Sequence, residues 1–154
     1  MKIRVLAVAR KPRNWAIDAE EDFIKRLKSF TDLEINLLAP VDENSFQAAP
    51  AKKLEAEKIL AKISNDDFVV ACDLAGQMFN SVDLAEVFRN ARDTAKKIVF
   101  VIGGSNGLDS QVLDRADLKV AFSKMTFPHE LFRVILLEQV YRAFTILGNR
   151  KYHK

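Results

Sequence analysis

Gly103, Gly104 and Gly107 place three of the chain's five glycines within five residues, directly after the apolar run Ile98, Val99, Phe100, Val101, Ile102. A β-branched run that stops at paired glycines predicts a buried strand opening into a loop where backbone approaches something closely. At the carboxyl edge of an open α/β sheet, such a loop is where ligands bind. Leu108 to Leu113 follows as a helix start, with Asp109 or Ser110 placed to cap it. The plainer reading is a tight connection that needs positive φ.

Other familiar chemistries find no support. The first apolar run enters Arg10, Lys11 and Pro12 without a glycine, so the dinucleotide fingerprint is missing. Leu108 follows Gly107 where a phosphate-cradling loop would carry Lys and Ser or Thr. The two histidines, His129 and His153, have no partner at metal-ligand spacing, and no metal is expected. Asp67 and Asp73, near the end of the third strand, read as solvated turn residues, and no Ser, His and Asp set has identifiable roles. The single Cys72 forms no disulfide within the chain, which predicts a reducing, cytoplasmic setting.

These residues need elements to hold them. Strands are predicted at Ile3–Ala9, Leu33–Leu38, Phe68–Cys72, Ile98–Ile102 and Leu118–Phe122, and helices at Trp15–Ser29, Lys52–Ile63, Val82–Ala95 and Glu130–Leu147. Strands alternating with helices predict an α/β fold with a mainly parallel sheet covered on both faces. The length of 154 residues, 49% hydrophobic and 29% charged, suits one soluble domain over residues 1–154, with no repeat or linker. No apolar run reaches membrane-spanning length, and the N-terminus enters a strand pattern instead of a cleavable signal.

The net charge of +3 is uneven: Lys2, Arg4, Arg10, Lys11 and Arg13 at one end and Arg142, Arg150, Lys151 and Lys154 at the other sum to +9, leaving −6 between them. If the ends meet in space they form a basic surface for a polyanion; otherwise they are solubilising charge. The predicted last helix is apolar around most of its circumference, which asks for cover on two sides and points to a second copy of the chain.

Four segments in order carry a resemblance: Val99 to Leu108, Phe122 to His129, Glu138 to Phe144, and the terminal Tyr152, His153, Lys154. Phe23, Arg26, Leu27, Phe30, Gly76 and Ser81 extend it over the whole chain. The sequence resembles the bacterial 23S ribosomal RNA pseudouridine N3-methyltransferases, the RlmH type of the SPOUT class. That resemblance implies a homodimer with a C-terminal trefoil knot that binds S-adenosyl-L-methionine and acts on 23S rRNA within the assembled ribosome. It implies a cofactor pocket on Cys72, Leu74, Gly103, Gly104, Phe122, Ser123, Lys124, Met125, Thr126 and Phe127. It also puts His129, Tyr152 and His153 near the chemistry, with Arg142 and Lys154 on RNA; Arg142 has Glu138 one turn earlier as an alternative partner. Where relatives usually carry Gly-Lys, Leu and Lys, this chain has Ala9-Arg10, Cys72 and Gln77. A non-catalytic dimeric RNA-associated module that keeps the pocket is the alternative from a different class.

Overall fold

A computed structural model describes residues 1–42, 47–92, 94 and 97–152. The elements in chain order are β1 (Lys2–Val8), α1 (Asn14–Leu27), β2 (Asp32–Leu38), α2 (Ala48–Leu60), β3 (Phe68–Met78), α3 (Ser81–Ala91), β4 (Ile98–Ile102), α4 (Ser110–Arg115), β5 (Leu118–Ala121) and α5 (His129–Leu147). The five strands form one all-parallel sheet in the order β2-β1-β4-β3-β5.

Side-chain alternation divides the core into two layers. Ile3, Val5 and Ala7 of β1 and Ile98, Phe100 and Ile102 of β4 face α1, α3 and α5. Leu6, Val8, Val99 and Val101 face α2 and α4. All five residues of β4 are buried, as a central parallel strand covered on both faces requires.

The predicted boundaries shift where local chemistry decides them. The second helix begins at Ala48, not Lys52, because Pro50 falls in its first turn, where a missing N–H costs nothing. Glu55 is buried on its inner side, while Leu54 is only half-buried. Asn80 starts α3 with a capping box: its Oδ1 accepts from Val82 and Asp83, and Asp83 accepts from the Asn80 N–H. That helix ends at Ala91 instead of the expected Ala95, which lies outside the described residues. Asp109 caps α4, its Oδ1 accepting from Gln111 at 2.9 Å.

The third strand runs well past Cys72. Val120 of β5 pairs first with Cys72 and again with Gln77, so residues 73–76 bulge out of the ladder. Gly76 permits the return: a Cβ there would lie 2.6 Å from the Val120 nitrogen.

Helices α1 and α5 run side by side in the same direction. Arg13 meets Glu130 at their starts, Glu20 meets Arg133, Phe23 meets Tyr141, and Phe30 stacks on Phe144 near their ends. Leu136, Leu137, Val140 and Ala143 seal α5 against the core, while Leu131 remains 38% exposed. The apolar circumference of α5 is therefore only partly covered within one chain.

Candidate functional site

The start of the β3 bulge, the carboxyl ends of β4 and β5 and the first turn of α5 enclose a cavity of about 190 Å³. The end of β4 contributes Gly103 and Gly104, which are tight for different reasons than Gly107. A Cβ on Gly103 would sit 2.6 Å from the Gly107 carbonyl carbon, and one on Gly104 would sit 2.9 Å from Glu55 Oε2 and 3.2 Å from Val8. Only Gly107 needs the left-handed region, with φ of +75°, and its N–H donates to the Gly104 carbonyl at 2.9 Å. Both expectations for this loop thus hold at separate residues, and the close approach at the first two is to the chain's own atoms.

Nine of the ten residues expected around the pocket line this cavity: Cys72, Leu74, Gly103, Gly104, Phe122, Ser123, Met125, Thr126 and Phe127. Lys124 does not; it is exposed beside it. Ser123 Oγ accepts from the Met125 N–H at 2.9 Å and bends this segment around the opening. Phe132 closes the wall, its ring 5.1 Å from Phe122 and 6.4 Å from Phe127. Leu74 and Met125, 62% and 71% exposed, are large apolar side chains at the cavity.

The sequence reading missed Ile102, Val120, Ala121 and Phe132 among the lining residues. The first three are strand-terminal residues at the carboxyl edge, a position that marks binding sites in parallel sheets. Phe132 follows His129 by three residues and so shares its helix face.

Burial, with a smaller contribution from the neighbouring Asp73 carboxylate, pushes the Cys72 thiol up to about 12. It is held as a neutral, soft apolar wall. Asp73 is the turn residue expected, its Oδ1 accepting from the Ala75 N–H at 2.8 Å. Asp67 is not: it is 3% exposed, accepts from the Ser64 N–H at 2.8 Å and lies 3.7 Å from Lys97 Nζ. It ties down the turn entering β3, where a solvated carboxylate was expected.

His129 opens α5 and lines the cavity. The tail lies elsewhere. Arg142 donates to Glu138 Oε1 through Nε at 3.0 Å and Nη2 at 2.6 Å, and its guanidinium lies 4.9 Å from the Tyr152 ring centroid. Tyr152 donates to the same oxygen at 3.3 Å and packs edge-on against Tyr141. The Glu138 carboxylate raises the Arg142 pKa above its ordinary value, while burial, and then Glu138, raise that of Tyr152. Arg142 stands thirteen residues beyond His129, about 20 Å along the helix. His153 and Lys154 lie outside the described residues.

Nor, among the described residues, do the basic ends form one patch. Arg4 pairs with Glu34, and Arg150 covers Phe30 at the far ends of α1 and α5, whereas Arg13 pairs with Glu130 at their starts. Among the described residues no group of acidic, His or Cys side chains is placed to hold a metal ion, and no helix is long and apolar enough to cross a membrane.

A parallel sheet with its cavity at a glycine loop on the carboxyl edge, and a long closing helix, defines a class that sequence comparison identifies. Residues 1–153 match the family described as "Predicted SPOUT methyltransferase", and the chain belongs to that family of methyltransferases. Curated relatives agree over their full length. The chain is 39% identical over 153 residues to the ribosomal RNA large subunit methyltransferase H of Caldicellulosiruptor bescii, with 99% of each chain covered. It is 41% identical to that of Caldicellulosiruptor saccharolyticus, again with 99% of each covered, and 42% identical to that of Clostridium botulinum strain Hall, with all of both covered.

Proposed function

We propose that this protein transfers a methyl group from S-adenosyl-L-methionine to N3 of a pseudouridine in the 23S rRNA of the assembled ribosome, as a homodimer whose C-terminal segment is knotted as the family resemblance implies. The observation that carries the reading is the cavity itself. It gathers residues from three separate strands and the loops beside them, and nine of them are those that the resemblance assigns to the cofactor.

The residues present fit that cofactor. Its purine and aliphatic carbons require apolar walls, and Ile102, Val120, Phe122, Phe127 and Phe132 provide them. Its sulfonium is cationic, and among the described lining residues there is no lysine or arginine and one carboxylate, Asp73. When bound, S-adenosylmethionine supplies an electrophilic methyl group. The protein's part is then to position and to exclude water, since an in-line displacement needs no covalent enzyme intermediate. Gly103 and Gly104 let the loop close onto Gly107, Glu55 and Val8 and so shape the cavity's edge, and the aromatic residues wall it.

The acceptor N3–H must also lose its proton, and His129 at the cavity wall is the candidate base. Tyr152, Arg142 and the terminal His153 and Lys154 belong to a second group. In its own protomer Tyr152 is held at Glu138, remote from His129, so the tail serves a cavity by reaching that of the partner in the homodimer. There Arg142 and Lys154 would meet RNA phosphate and Tyr152 and His153 the target base. The half-covered apolar face of α5 supports the dimer on which this depends.

The test is transfer of labelled methyl from S-adenosylmethionine to ribosomes isolated from cells lacking the modification, with reverse-transcription stops locating the product. Incorporation at one pseudouridine is expected on ribosomes and not on naked 23S rRNA. Cofactor binding without incorporation would overturn the reading in favour of a non-catalytic RNA-associated module.

A further inference from the structure

Trp15 is the chain's single tryptophan, and it is 42% exposed in the first turn of α1. A large aromatic left in solvent at a helix start contributes little to the core, and its surroundings here are unusual. The Arg13 guanidinium lies 5.6 Å from the ring centroid. That guanidinium is itself tethered, Nε donating to Glu130 Oε2 at 2.9 Å, and the hydrogen bond from Arg13 holds the Glu130 carboxyl below its usual range. The backbone is equally ordered: the Arg13 carbonyl accepts from Ala16 at 3.0 Å and Ile17 at 3.1 Å, and Ala16 is fully buried.

The position of this ring relative to the cavity follows from the sheet. The segment 9–13 leaves the carboxyl end of β1, and β1 is the direct neighbour of β4, whose carboxyl end is the glycine loop. Val8, the last residue of β1, packs on Gly104. Glu130 is adjacent to His129, which lines the cavity. Arg10, Lys11 and Arg13 are exposed along this stretch, with no acidic residue in the first thirteen. An ordered, solvent-facing indole with an arginine against it, set among cations beside a binding cavity, has the makeup of a platform for an unpaired nucleobase.

We infer that Trp15 stacks on a nucleobase of the RNA substrate flanking the target nucleotide, with Arg10 and Lys11 holding the adjoining phosphates. This deepens the proposed function and rests on its assignment of an RNA substrate. The charge complementarity of the 9–13 segment to a polyanion selects RNA as the occupant over a second copy of this basic surface.

Because the chain has one tryptophan, its emission reports this position alone. Titration of the intact protein with a short single-stranded oligoribonucleotide is expected to quench the emission, and titration with heparin, a polyanion without bases, is expected to leave it nearly unchanged. Trp15→Ala is expected to raise KM for ribosomes about tenfold, the scale of one lost stacked base, with kcat and S-adenosylmethionine binding unchanged. Trp15→Phe is expected to recover most of the loss. Emission unmoved by saturating oligoribonucleotide, equal quenching by heparin, or a fall in kcat with KM intact would each overturn the inference. So would emission that depends on protein dilution and not on RNA, which would place the ring under a second copy of the chain. Base-specific quenching by a wild-type protein that fails to methylate ribosomes would uphold the platform and overturn the enzymatic reading separately.

Discussion

Arg133 of α5 and Glu20 of α1 form an ion pair closed to solvent, with Nε to Oε1 at 2.7 Å and the arginine side chain fully buried. Both Nη atoms of Arg133 lack a hydrogen-bond partner among the described residues, so the pair satisfies one edge of the guanidinium and leaves the rest desolvated. Such a pair adds little net stability but fixes the register of the helices that carry it. Arg133 is one turn beyond His129, so this register sets where the cavity wall stands.

Removing one partner should therefore cost much more than removing both. Glu20→Ala or Arg133→Ala alone is expected to lower unfolding free energy by about 3–5 kcal/mol, because the other charge is left buried and alone, whereas Glu20→Leu combined with Arg133→Met should restore most of it. Urea denaturation of the four proteins checks this; additive losses in the double variant would contradict it.

The glycines should separate by mechanism. Gly103→Ala drives a Cβ into the Gly107 backbone and should displace the loop, weakening S-adenosylmethionine binding at least tenfold. Gly107→Ala meets no atom within 4 Å and bears only backbone strain, expected at about 1 kcal/mol of stability with binding largely kept. Titration calorimetry with the cofactor, paired with thermal melts, distinguishes the two.

Cys72 should be chemically quiet in the folded protein. With its pKa raised from 9.0 to about 12, the thiol carries almost no thiolate at pH 8, and alkylation by iodoacetamide should be far slower than for the unfolded chain. The sign for stability follows: the folded state favours the protonated thiol, so the contribution is complete below about pH 9 and is lost as pH rises towards 12. Rapid alkylation of the native protein at pH 8 would show that the site is open to water.

If each cavity takes its tail from the partner, two inactive variants should complement. His129→Ala and Tyr152→Phe homodimers are each expected to lose activity, at least tenfold for the base. After mixing and exchange of equal amounts, random pairing leaves one intact site in half of the dimers, so about a quarter of wild-type activity should return. Absence of recovery, with exchange demonstrated by mass spectrometry, would place both residues in service of the same protomer.

The alternation of apolar runs and helical spacing determined the α/β class, because burying a β-branched strand on both faces leaves the same mark in any parallel sheet. It located β4 to the residue, and narrowed the α4 cap to Asp109 or Ser110, since both are properties of neighbouring residues alone. The ordered motifs from Val99 to Phe144 likewise contain ten of the cavity's sixteen lining residues.

The longer-range features were decided in three dimensions. The extension of β3 to Met78 depends on β5 pairing with it twice, and no local pattern in residues 73–78 announces that. Asp67 read as solvated because its sequence neighbours are polar, yet the turn that buries it is closed by Lys97 thirty residues on. The separation of Arg13 from Arg150 follows from α1 and α5 running in parallel. Charge composition counts residues, but only the packing of the two helices assigns them to opposite ends of the molecule.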